Sequence, residues 1–162
     1  MRNYPDNSLL IMIADTVVGV NRDMEAPYPV FYADKDSLLE LMRILRFDER
    51  LDFNRLPNVT SVDYKTYFEM VYTLYSVRQN HWLTVKVKLD HDAPLVPSVT
   101  SVYPSANFEE REVYDLMGID FINHPDKRRV LLPDDFEGHP LRKDYTQKNR
   151  PFVPKVKRAG GD

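Results

Sequence analysis

Leu83-Thr84-Val85-Lys86-Val87-Lys88-Leu89 alternates apolar and polar residues without a break. In an extended chain successive side chains point to opposite faces. Leu83, Val85, Val87 and Leu89 therefore share one face, and Thr84, Lys86 and Lys88 share the other. One face packed and one wet is the signature of a sheet covered on a single side. Just upstream, Arg78-Gln79-Asn80-His81 reads as a turn, and Val59 to Tyr64 and Tyr67 to Val77 are rich in the β-formers Tyr, Val, Thr and Phe. Before these the period changes. Leu38, Leu41, Met42 and Leu45 recur at helical spacing and predict a helix from about Lys35 to about Phe47, with Asp34 as its N-cap. A helix followed by consecutive strands predicts an α+β fold, a mixed or antiparallel sheet with a helix packed on one face.

Outward from this body, residues 1–29 read as an N-terminal lead-in, with a strand expected at Leu9 to Ile13 and punctuation at Pro27-Tyr28-Pro29. Val30 to Tyr32 is a short strand candidate. On the other side Pro94, Pro97 and Pro104 remove ladder donors and disfavour helix, so residues 91–106 are expected to be extended or turn-rich. A short helix, Asn107 to Met117, follows and ends at Gly118; Asn107 and Glu110 have the spacing of a capping box. From His124 onward Pro125, Pro133, Pro140, Pro151 and Pro154 recur. This predicts an extended, proline-rich C-terminal arm that orders against something other than itself. The organisation is then a lead-in at 1–29, an α+β domain at 30–106, a short acidic helix and interface arm at 107–145, and a basic tail at 146–162.

The 162 residues suit one compact domain, and no apolar run approaches the roughly 20 residues of a membrane span. With no signal peptide visible, the expectation is a soluble intracellular chain. Cysteine is absent, which excludes a disulfide framework, a thiolate nucleophile and cysteine-held clusters or zinc. The 5 glycines never take the spacing of a dinucleotide turn or a P-loop. No catalytic, cofactor-binding or metal site is expected in the chain itself.

Charge is distributed unevenly. Residues 1–123 carry 12 Lys/Arg and 19 Asp/Glu, whereas 124–162 carry 10 and 6, so an acidic body is followed by a basic arm. That asymmetry points to a partner of opposite charge, the alternative being a solvated tail. Within the acidic helix, Glu109 and Glu110 suit the positive N-terminal end of the dipole. Asp115 lies in the last turn, where an anion needs a cation: Arg111 one turn back, or an arginine of the arm or a neighbour. Val113, Leu116 and Met117 are expected in the core. Glu110, Glu112 and His124 do not make a hydrolase site, because the two glutamates face different ways and no nucleophile accompanies them. His81, His91, His124 and His139 lack the spacing that gathers ligands on one element. Lys148, Arg150, Lys155, Lys157 and Arg158 could neutralise phosphates, but the acidic body argues against nucleic acid.

Three linked motifs then become specific: Glu110-Arg111-Glu112-Val113-Tyr114-Asp115-Leu116-Met117-Gly118-Ile119, His124-Pro125-Asp126-Lys127-Arg128-Arg129-Val130-Leu131, and Glu137-Gly138-His139-Pro140-Leu141-Arg142-Lys143-Asp144-Tyr145. Together with Val96-Pro97-Ser98-Val99-Thr100 and Pro104-Ser105-Ala106-Asn107, they resemble the C subunit of respiratory complex I, the proton-translocating NADH-quinone oxidoreductase. The resemblance covers about residues 30 to 145; Phe108 and Met117 stand where that family often has Trp and Phe. It implies a non-catalytic structural subunit of the peripheral arm, on the cytoplasmic face of the cell membrane, beside the quinone-reducing module. FMN, iron–sulfur clusters and quinone would belong to partner subunits, the large quinone-module subunit and the cluster-bearing subunits among them. Glu110, Arg111, Glu112, Asp115, His124, Arg128, Arg129, His139, Arg142 and Lys143 are the expected subunit-interface residues, with arginine favoured because its planar fork grips carboxylates. A related membrane-bound hydrogenase, or a ferredoxin- or deazaflavin-dependent complex, would use an equivalent subunit. An independent nucleic-acid- or protein-binding module is the second alternative.

Overall fold

The computed structural model describes residues 4–146. Its elements in order are α1 (Asn7–Thr16), β1 (Val20–Asp23), β2 (Val30–Ala33), α2 (Leu38–Phe47), β3 (Arg55–Asp63), β4 (Tyr67–Ser76), β5 (His81–Asp90), β6 (Leu95–Pro97), α3 (Ala106–Met117) and β7 (Asp120–Ile122). Five strands form one sheet in the order β1-β2-β5-β4-β3. β2 and β5 run parallel and the other neighbours antiparallel, so the sheet is mixed. The fold is α+β, as the strand pattern predicts.

β5 behaves as its alternation requires. Leu83, Val85, Val87 and Leu89 are buried, Lys88 is exposed, and Lys86 reaches Glu69 on β4 at 2.9 Å. The hairpin from β4 to β5 turns through Asn80, whose φ of 53° suits the asparagine there. Leu38, Leu41, Met42 and Leu45 of α2 are each 0% exposed, and burial of such side chains stabilises by about 1.5–3 kcal/mol each. One hydrophobic cluster joins Leu10 and Ile13 of α1, this stripe of α2, the inner face of the sheet, Val113 and Met117 of α3, and Phe121 of β7.

Several local expectations are corrected. Leu9 to Ile13 lies inside a helix, not a strand: Asp6 caps α1 by accepting the Ser8 N–H at 2.7 Å, and Leu10 and Ile13 face the core three residues apart. The strand of the lead-in is β1, which pairs with β2. α2 begins at Leu38 after a turn, with Ser37 in the cap position and no side-chain cap bond, so Asp34 is not its N-cap. α3 likewise starts at Ala106 behind Ser105, without a side-chain cap, and Asn107 sits inside it. The Glu110 carboxylate is turned toward another segment, so the capping box does not form. The proline-punctuated stretch holds β6, which pairs in parallel with β7, and α3 is the connection between the two strands. The basic tail, including Lys148, Arg150, Lys155, Lys157 and Arg158, lies outside the described residues.

Candidate functional site

α3 carries two buried carboxylates of opposite character. Asp115, in its last turn, is 0% exposed. Its Oδ2 accepts the backbone N–H groups of Val130 (3.1 Å), Leu131 (2.8 Å) and Leu132 (2.9 Å), and its Oδ1 takes Arg129 Nη1 at 2.7 Å. The cation that the helix end requires is thus the arm arginine Arg129, not Arg111. Burial by itself would raise the Asp115 carboxyl; the Leu132 and Leu131 amides, Arg129 and the Val130 amide outweigh it and hold it below its usual value. Arg129 also reaches the Gly138 carbonyl at 3.4 Å.

The helix ends as its sequence dictates. Gly118 takes the left-handed conformation, φ 71°, and its N–H closes on the Tyr114 carbonyl at 2.9 Å. His139 lies directly over it: a Cβ at Gly118 would meet the His139 ring at 2.5 Å. His139 Nδ1 bonds the Asp115 carbonyl at 2.9 Å, and the Leu141 N–H donates to Leu116 at 3.0 Å. Glycine is needed here for two reasons, the backbone turn and the close approach of the arm.

Glu110 is the second buried carboxylate, also 0% exposed. Oε2 accepts from Ser98 Oγ at 2.7 Å and Oε1 from the Val99 N–H at 2.8 Å, tying α3 to the segment after β6. Burial pushes the Glu110 carboxyl up to about 7, against the downward pull of those two bonds. His124 Nε2 stands 3.7 Å from Oε2. Because His124 Nδ1 accepts the Asp126 N–H at 3.0 Å, the ring proton sits on Nε2, where it serves the Asn107 carbonyl at 3.2 Å. The pocket beside Glu110, His124, Tyr114 and Phe121 has a volume of about 10 Å³, room for a water and no more.

Arg111 holds the next stretch of the arm, donating to the carbonyls of Arg128 (2.9 Å) and Arg129 (3.3 Å) and pairing with Asp126 at 3.2 Å. Arg128 pairs with Asp126 at 2.7 Å while its side chain stays 81% exposed. Arg142 lies over the Phe68 ring, 5.1 Å from its centroid, and donates to the His91 carbonyl at 3.2 Å. The Lys143 N–H donates to Asp63 Oδ2 at 2.7 Å. Glu112 is exposed. Of the ten expected interface residues, Glu110, Asp115 and His124 are buried inside the chain. Arg111, Arg129, His139 and Arg142 are half-buried and bonded within it, and Glu112, Arg128 and Lys143 are exposed. Through residue 146 the arm, expected to order against other chains, is fastened to its own body. Sequence reading missed Ser98, Asp63 and His91, whose partners lie on other elements; no local spacing marks them.

Beside the exposed charges, α3 and the arm also leave apolar side chains outside. Phe108, Leu131 and Leu141 are 66%, 59% and 59% exposed. No helix among the described residues is long and apolar enough to cross a membrane.

Comparison with known proteins bears on the same segments. The family described as the respiratory-chain NADH dehydrogenase 30 kDa subunit matches residues 31–151. The C subunit of NADH-quinone oxidoreductase from Moorella thermoacetica is 50% identical over 119 residues, 72% of this chain and 79% of that one. The protein of the same name from Saccharopolyspora erythraea is 46% identical over 71% of this chain but only 48% of its own length. Among solved structures, a chain of the archaeal membrane-bound sulfane sulfur reductase aligns with TM-score 0.72 and 25% identity over 86% of this chain and 84% of that chain. A trypsin-resistant fragment of Nqo5 aligns with TM-score 0.55 and 29% identity over 74% of this chain and 96% of the fragment. The matched segment takes in the sheet apart from β1, the acidic helix and the anchored arm, and this chain belongs to the family of the respiratory-chain NADH dehydrogenase 30 kDa subunit.

Proposed function

We propose that this chain is a non-catalytic brace in the peripheral arm of a complex I-type NADH-quinone oxidoreductase. It would hold the large quinone-module subunit and the cluster-bearing subunits in register on the cytoplasmic face of the membrane. FMN, iron–sulfur clusters and quinone belong to those partners, and this chain contributes geometry. Electron transfer depends on fixed spacing between redox centres, so a rigid surface is itself a contribution to turnover. The observation that carries the reading is the anchoring of the arm through Asp115. Four donors converge on one buried carboxylate, and the outward side chains Arg128 and Leu131 are thereby presented from a fixed backbone. Buried, pre-ordered backbone lowers the entropy that docking would otherwise cost. The boundaries that follow are a body through residue 106 and an interface segment at 107–145.

Charge reversal of Arg128 tests this directly, because its side chain is mostly in solvent. Arg128→Glu is expected to lower the denaturation midpoint of the purified chain only slightly, through loss of the exposed pair with Asp126, and to lower its co-purification with the large quinone-module subunit severalfold. Unchanged co-purification would remove the interface assignment. A second reading, the same brace in a membrane-bound complex that runs a different redox reaction, is supported by the sulfane sulfur reductase alignment. Assaying NADH oxidation in the co-purified assembly separates the two.

A further inference from the structure

Asp63, at the end of β3, His91, just after β5, and Asp144, in the arm, bring one ligand atom each to within 4.8 Å of one another. The three come from segments 28 and 53 residues apart, so the grouping is a product of the fold. We infer that this cluster is a binding site for a divalent first-row transition ion of the zinc class, which clamps the arm to the sheet.

Four observations support the inference. His91 Nε2 is buried and has no hydrogen-bond partner. It points at Asp63 Oδ1 from 3.6 Å, too long for a hydrogen bond and close to the separation of two ligands on one small cation. The His91 ring is held by stacking on Phe68, with centroids 4.7 Å apart and planes within 6°. Its other nitrogen, Nδ1, faces the exposed carboxylate of Asp92, 3.8 Å away and beyond hydrogen-bond reach, which adds negative charge beside the site.

The carboxylates have capacity to spare. Asp63 accepts the N–H groups of Lys65 (2.6 Å) and Lys143 (2.7 Å), one on each oxygen, leaving a lone pair on both. Asp144 uses Oδ1 for Arg142 Nε at 3.2 Å and is exposed, so its side chain can swing to complete the set. Lys65, Arg142 and Lys143 are the cations of the adjoining segments, and the three carboxylates of Asp63, Asp92 and Asp144 balance them, so a divalent ion does not meet a net positive site. One imidazole and two carboxylates, with water completing the sphere, suit zinc or cobalt better than magnesium, which avoids nitrogen ligands.

The test uses the full chain without any histidine tag. Titration with Co2+, followed by visible absorption, and with Zn2+, followed by calorimetry, is expected to give one site per chain. Zn2+ should also raise the thermal midpoint. His91→Ala should abolish this site, and Asp144→Asn, a change at an exposed residue, should weaken it at least tenfold while the metal-free thermal midpoint stays put. Absence of binding up to millimolar Zn2+, or binding unaltered in Asp144→Asn and His91→Ala, would overturn the inference. The outcome is independent of whether Arg128 faces another subunit.

Discussion

Replacing Glu110 by Gln should change the pH dependence of folding in a specific window. The folded carboxyl titrates near 7, against an ordinary value of 4.5, so the native chain keeps a proton that the unfolded chain has already released. Where the folded state binds the extra proton, stability falls as pH rises. The fall begins near pH 4.5 and is complete just above 7. A gap of about 2.5 pH units corresponds to about 3 kcal/mol by linkage. The cause is burial, and no cation among the described residues offsets it: His124 Nε2, 3.7 Å away, is turned to the Asn107 carbonyl. The Tyr72 hydroxyl, fully buried and raised by burial and then by the Glu110 charge, supplies no positive charge either. Glutamine preserves both bonds, since its carbonyl can accept the Val99 N–H and its amide can donate to Ser98 Oγ. Urea denaturation between pH 5 and pH 8 is the assay. Wild type and Glu110→Gln should be close at pH 5, and the variant should be more stable by about 3 kcal/mol at pH 8. Half-buried Glu109 is raised in the same direction and should leave a smaller residual slope in the variant. Asp63 and Asp115, held below their usual values, titrate under this window and cancel in the comparison. A difference between the two proteins that stays constant from pH 5 to 8 would refute the reasoning.

Asp115→Ala should cost about 3–5 kcal/mol in denaturation experiments, because Arg129 and three backbone amides lose their common acceptor. Limited trypsin digestion should then cut after Arg128 and Arg129 much faster than in wild type. The Asp115 contribution is present above its ordinary value near 3.8 and is lost as pH falls through its lower, folded value. Leu41→Ala should cost about 2–5 kcal/mol through a cavity between α2 and the sheet, measured by urea unfolding, with no change in trypsin sensitivity of the arm.

The sheet was legible because period-two patterning is a local property. Leu83 to Leu89 announces its buried face without reference to any partner, and the Leu38–Leu45 stripe does the same for α2. Leu9 to Ile13 was not legible by that route, since five consecutive apolar residues fit a buried strand or a buried helix equally well. The capping aspartate, Asp6, was the signal that separates them. Asp34 and Asn107 mislead in the opposite way: both have cap chemistry, and both lie where a turn or an already started helix leaves them no cap to make. The candidate site divides along the same line. That Asp115 needs a cation follows from its place in the helix dipole, and Arg129 was among the residues expected to supply one. That Glu110 binds Ser98 and Val99, or that Asp63 meets His91 and Lys143, depends on segments 11 to 80 residues apart. No window along the chain contains those pairs.

The grip of Asp115 on residues 130–132 reads only main-chain amides. At the two exposed places, 130 and 131, any amino acid except proline can stand without loosening the attachment, and the first proline of this stretch, Pro133, falls one residue past it. Lineages can therefore rewrite the outward chemistry of the segment to match a changing neighbour, while the fastening beneath stays the same.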